Sequence, residues 1–141
     1  MAYQKPWVAF PLASSGTVTN ATVTSEMFQN WHYKGCVIVC NRTAESGTCT
    51  LDVKLQGYHR ASDTWYDVQS ASFVQYADGA TGVRYVTVYP GIVADDADAS
   101  VILATNYKNV SGVLPREFRI SVTHGGTSVS NTFAITVEPL N

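Results

Sequence analysis

Residues 114–138 read LPREFRISVTHGGTSVSNTFAITVE, and the reading of this stretch decides the fold class. Phe118, Ile120 and Val122 alternate with Glu117, Arg119, Ser121 and Thr123, and Phe133, Ile135 and Val137 alternate with Thr132, Ala134, Thr136 and Glu138. A period of two places each apolar trio on one face of a pleated strand. Between the two sets, His124-Gly125-Gly126-Thr127 offers the positive-φ positions of a tight reversal. The stretch therefore predicts a half-buried antiparallel hairpin, with its six apolar side chains forming one wall of a core.

The remainder of the chain repeats this pattern. Lys34 to Asn41 is apolar on both faces, with Cys36, Ile38 and Cys40 on one and Val37 and Val39 on the other, as in a central or interface strand. Glu45-Ser46-Gly47-Thr48 reads as a turn, after which Leu51, Val53 and Leu55 face inward and Asp52, Lys54 and Gln56 outward. Thr/Val-rich residues 16–24, Trp65 to Val68, Ser72 to Tyr76, Val83 to Tyr89 and Val101 to Thr105 supply further strands, and Asn106 to Gly112 reads as a polar connection. No helical period is sustained. The expectation is an all-β, single-domain antiparallel β-sandwich, jelly-roll-like, of about eight or nine short strands over residues 15–141. Residues 1–14, with Tyr3, Trp7 and Phe10 between prolines, read as an extended N-terminal arm whose aromatics pack on the parent domain or reach a neighbouring subunit.

Composition narrows the function classes. Charged residues make up 14% of the chain, against roughly 25% in an average soluble protein. Such a surface is neutral-polar, or partly hidden in an assembly. A net charge of -2 gives no electrostatic reason to expect nucleic-acid binding. No apolar run approaches the ~18 residues of a membrane span, and the short run bracketed by Pro6 and Pro11 is not expected to be a signal peptide. Three cysteines argue against a disulfide framework. Were residues 33–42 and 49–57 a hairpin, Cys40 would lie opposite Cys49, and a bridge between them stands beside the alternative of buried reduced thiols.

Chemistry-bearing motifs are sparse. His124-Gly125-Gly126 resembles an esterase oxyanion motif, but the chain has no G-x-S-x-G nucleophile elbow. His32, His59 and His124 have no metal-ligand spacing, and Asp95, Asp96 and Asp98 lack the spacing of a calcium loop. Neither a cofactor nor a metal is expected, nor an enzymatic activity. Trp65 and Tyr66, with Tyr85 and Tyr89, offer flat faces for a glycan platform, against the competing reading of core packing.

Three segments, taken in order, carry a resemblance. They are Thr43 to Val68 with Leu51-Val53-Gln56-Gly57 and Thr64 to Asp67, then Tyr85 to Ile92 with Val88 to Gly91, and the closing stretch from Leu114 to Thr127 with Phe133. Together they resemble small virion proteins of tailed phages and prophages, over roughly the C-terminal two-thirds of the chain. The cysteines and the arm fall outside the pattern. The resemblance implies a jelly-roll-like capsid decoration (cement) protein, made in the host cytoplasm and seated on the outer capsid surface. Its partners would be the major capsid protein and further copies of itself, as a symmetric homo-oligomer of trimer type, with no nucleic acid and no membrane. Tyr3, Trp7, Phe10, Val37 and Val39 are the expected capsid or subunit contacts. A carbohydrate-binding or host-attachment sandwich of a tail or head fibre, using Trp65 and Tyr66, is the alternative.

Overall fold

The computed structural model describes residues 7–14, 21–92 and 106–141. Tyr3, the aspartates at 95, 96 and 98, and the strand expected over 101–105 lie outside them. The described residues hold eight strands and no helix: β1 (Trp7–Ser14), β2 (Thr22–Thr24), β3 (Phe28–Gln29), β4 (Gly35–His59), β5 (Thr64–Ser72), β6 (Gly82–Tyr89), β7 (Tyr107–Ser111) and β8 (Glu117–Leu140). The protein is all-β, as its alternation predicts.

The closing stretch is not a hairpin. β8 is one strand of 24 residues, and β4 one of 25, paired antiparallel along almost their whole length. Gly57 faces Phe118, Cys49 faces Gly126, Arg42 faces Phe133 and Gly35 faces Leu140. Glu45-Ser46-Gly47-Thr48 and His124-Gly125-Gly126-Thr127, both read as turns, instead lie at one bend in this ribbon. There the register shifts between Arg42 and Ala44 and again between Ser46 and Thr48. Such bulges bend a strand and leave the pairing intact on either side. Gly126 takes φ 110°, which side-chain-bearing residues rarely adopt. The bulges also change the phase of burial. Buried positions of β4 are even-numbered from Cys36 to Arg42 and odd-numbered from Cys49 to Gly57.

The bend divides one sheet into two layers. The first is ordered β1, the second half of β8, the first half of β4, β6 and β7; the second holds β2, β3, the first half of β8, the second half of β4, and β5. Neighbours run antiparallel except β6 and β7, which are parallel. The layers pack face to face: Trp7 of β1 lies 5.3 Å from Phe118 and 6.1 Å from Phe28 across the interior. At the open end, Asn30 ties them together. Its backbone N–H donates to Arg116 O at 2.7 Å, its Nδ2 donates to Tyr33 O at 2.8 Å, and its Oδ1 accepts from Tyr33 N at 2.9 Å. Leu114 N donates to Lys34 O alongside.

Inside, Ile38, Leu51, Leu55, Phe118, Ile120, Val122, Ile135 and Val137 are fully buried. Each such side chain contributes roughly 1.5–3 kcal/mol. Residues 7–14 form a sheet strand, and Trp7 and Phe10 pack on their own core, Phe10 against Phe133 at 5.6 Å, the first of the two expected placements of the aromatics. An extended segment rich in apolar residues finds its partner in the edge of β8. Asn106 to Gly112, read as a connection, contains β7, whose short polar sequence lacks the alternation that marks the other strands.

Cys36, Cys40 and Cys49 are buried free thiols. The continuous β4 sets Cys40 opposite Arg84 and Ile135, not Cys49, which removes the geometry of a bridge. Burial pushes the Cys36 and Cys40 thiols up to about 12.

Candidate functional site

The ribbon's bend holds a cluster whose residue types invite a catalytic reading. Arg42 is fully buried; its Nε donates to Asn131 Oδ1 at 2.8 Å, its Nη1 to Ala77 O and Ala80 O at 2.9 and 2.7 Å, and its Nη2 to Cys49 Sγ at 2.8 Å. Asn131 Nδ2 donates to His124 Nδ1 at 2.9 Å. Nucleophilic chemistry does not follow from this set. The single Cys49 S–H has Glu45 Oε2 and Asn131 Oδ1 as alternative acceptors, and burial, followed by the Glu45 contact, raises its pKa, whereas a nucleophilic thiol needs it lowered. His124 faces Asn131 rather than the sulfur, and both are closed to solvent. The cluster pairs the buried polar groups where the strands bend, His124 Nε2 excepted.

His59 and Ser62, 2.7 Å apart, bond within the turn between β4 and β5. Among the described residues, no group of three His, Cys, Asp or Glu side chains converges to hold a metal.

The outward surface of the first layer is a different kind of place. Odd-numbered residues of β4 and β6 point outward there, since the even-numbered ones fill the core. One row crosses all its strands in register: Val8, Thr136, Val39, Tyr85, Tyr107. A second row runs Glu138, Val37, Thr87, Asn109, and a third Ala134, Asn41, Val83. Val8, Tyr85, Tyr107 and Val83 are 41–52% exposed, and the rings of Tyr85 and Tyr107 stack at 5.8 Å. Glu138 is the single charged residue of these rows. Such a face has the composition of an interface centre, aromatic and depleted in charge.

Of the expected contact residues, Val37 and Val39 lie on this face, while Trp7 and Phe10 point into the core. Val8, between those two aromatics, carries the outward position of β1, and Tyr85 and Tyr107 enlarge the face. The Val83-Tyr85-Thr87-Tyr89 alternation of β6 could have signalled it; the parallel neighbour β7 could not.

The outward surface of the second layer holds Trp65. Its ring lies 5.0 Å from that of Tyr58, and the Arg119 guanidinium covers one face of it at 4.0 Å. Arg119 Nε donates to Gln56 Oε1, Gln56 Nε2 to Asp67 Oδ1, and Lys54 Nζ to Asp67 Oδ2, each at 2.8 Å. The Lys54 bond, then that of Gln56, lowers the pKa of Asp67. Tyr66 points to the opposite side, its ring over Gly57, where a Cβ would sit 2.4 Å from the ring. The structure therefore does not unite Trp65 and Tyr66 on one surface. Comparison of the chain with protein-family models, with curated proteins and with solved structures finds no match.

Proposed function

We propose that this protein is a non-enzymatic virion structural protein that decorates or cements a phage capsid, binding major capsid subunits on the outer shell as a symmetric, trimer-type oligomer. The observation that carries the reading is the neutral tyrosine and valine face of the first layer, three registered rows with Glu138 as their single charged residue. A face of that composition is stabilised when a protein partner covers it. The sequence resemblance supplies the partner class. Symmetric repetition supports the affinity, because each contact after the first is intramolecular.

The test is to image virions made with and without the protein, and with the Val39→Lys/Tyr85→Lys variant. Density on the shell in the first case, and its loss with the variant while the purified chain keeps its circular dichroism and melting temperature, is the expected result. Density on the tail, or full shell occupancy by the variant, would overturn the reading.

A further inference from the structure

The end of the sandwich where Asn30 ties the layers carries a second surface of distinct chemistry. Tyr58, Arg60, Arg116 and Glu117 line an open cleft of about 190 Å³. Trp31 stands at its side, 58% exposed, with the Arg116 guanidinium stacked on its ring at 4.0 Å. Both are held in place. The buried Asn30 side chain fixes the turn into Tyr33, and the Asn30 backbone is bonded to Arg116 O.

The charges of the cleft are not equally used. Arg60 donates through Nε and Nη2 to Glu117 Oε1, so that guanidinium already has a carboxylate. The Tyr58 hydroxyl donates to Asp63. Arg116 has no ion-pair partner among the described residues. A planar guanidinium with free N–H groups matches a carboxylate in two parallel bonds. Arg116 covers one face of the Trp31 indole, and the 58% of the residue that stays exposed is the apolar ring surface left beside the guanidinium. Arg60, its side chain 69% exposed, lines the same cleft and has more N–H donors than its bonds to the buried Glu117 use, which a ring hydroxyl can meet. The volume is below the roughly 300–1,000 Å³ of drug-sized sites, which suits one ring of a longer chain.

We propose that this cleft binds a carboxylate-bearing sugar unit of an acidic glycan, with Arg116 gripping the carboxylate and Trp31 packing on the ring. An acidic peptide would engage Arg116 but would leave the remaining Arg60 donors and the exposed indole surface without a role. Of its lining, Tyr58 and Glu117 belong to strands of the second layer, whereas the neutral face is the outward side of the first. Docking to a shell through that neutral face would therefore leave the cleft free.

The experiment uses the whole chain in solution, with trigalacturonate as probe, followed by calorimetry and by the indole signals of the tryptophans. Binding with a Kd of about 1 mM or tighter is expected, with neutral maltotriose giving none. Arg116→Gln and Trp31→Ala should each weaken it about tenfold or more, while Trp65→Ala leaves it unchanged. Both altered side chains are exposed, so an unchanged melting temperature will separate loss of binding from loss of fold. Absence of binding by the wild-type chain, equal binding of maltotriose, indifference to Arg116→Gln, or tighter Arg116-dependent binding of a polyglutamate peptide would overturn the proposal. None of these outcomes involves a shell, so failure here leaves the capsid reading standing, and loss of docking by Val39→Lys/Tyr85→Lys leaves the cleft standing.

Discussion

The two outer faces of the sandwich are built largely by the same two strands, and they differ in what those strands turn outward. In the first layer β4 and β8 present Val37, Val39, Asn41, Ala134, Thr136 and Glu138; in the second they present Asp52, Lys54, Gln56, Tyr58, Arg119 and Thr123. Their inner sides are alike, since both must fill one core. Inward residues thus report the fold, and outward residues report what each face meets. A face meeting water carries the Lys54–Asp67 ion pair and its hydrogen-bonded neighbours. A face of valine and tyrosine, left in water, gains nothing from its composition. The contrast between them is the physical basis for proposing a protein partner for the first layer and a polar ligand for the second.

The largest way to break this arrangement is at the bend that makes two faces out of one sheet. Arg42 is fully buried there and bonds Asn131, Ala77, Ala80 and Cys49, with Glu45 4.0 Å away. Truncating one member of a buried ionic network leaves the others desolvated and unpaired, at a cost of about 3–5 kcal/mol. Arg42→Ala should lower stability by that amount in urea denaturation. A loss under about 1 kcal/mol, the range of an exposed pair, would show that the cluster does not hold the bend.

The same bend marks where sequence reading stopped being sufficient. The inward sets Leu51, Val53, Leu55 and Phe118, Ile120, Val122, Phe133, Ile135, Val137 were legible, because alternation is local and their burial follows from it. A reversal and a bend were not distinguishable, because both use glycine at positive φ. What decides between them is that β4 runs beside β8 on both sides of Gly126, a pairing between residues far apart in the chain. The even-to-odd change from Val122 to Phe133 was present in the sequence, and it is what a bulge within one continuing strand produces. Of the candidate contacts, Val37 and Val39 were legible as the outward side of a two-faced apolar strand. Tyr107 was not, since β7 is short, polar and parallel to its neighbour. Trp31 and Arg116 meet only through the tie at Asn30, which no local pattern announces.

A smaller effect at the bend is sensitive to pH. His124 accepts from Asn131 at Nδ1, its Nε2 has no hydrogen-bond partner, and Arg42, Glu45 and Cys49 are the ionisable groups of the surrounding cluster. Burial, and secondarily the charge of Arg42, lowers the pKa of His124. The unfolded chain therefore binds a proton at a pH where the folded chain does not. This contribution to stability is complete above the unfolded value, roughly 6.5, and is lost as pH falls from there through the depressed folded value. His124→Gln should flatten the dependence of the melting temperature on pH below about 6.5. A variant with the wild-type slope would place the acid sensitivity in other groups.

The smallest expected effect lies on the charged face and sharpens the contrast with the neutral one. Lys54 Nζ and Asp67 Oδ2 are 2.8 Å apart, but their side chains are 39% and 56% exposed. A pair so wet gains little attraction after side-chain entropy and screening, about 0.2–1 kcal/mol. A double-mutant cycle with Lys54→Ala and Asp67→Ala should return a coupling in that range, falling further as salt is raised. A coupling above about 2 kcal/mol would mean that the second face depends on its charges for folding, and the opposition between a face made for water and a face made for a partner would weaken. With the expected small value, the charges of the second layer are free of a folding role. Their number there, against the lone Glu138 of the neutral rows, is then a property of what each surface contacts.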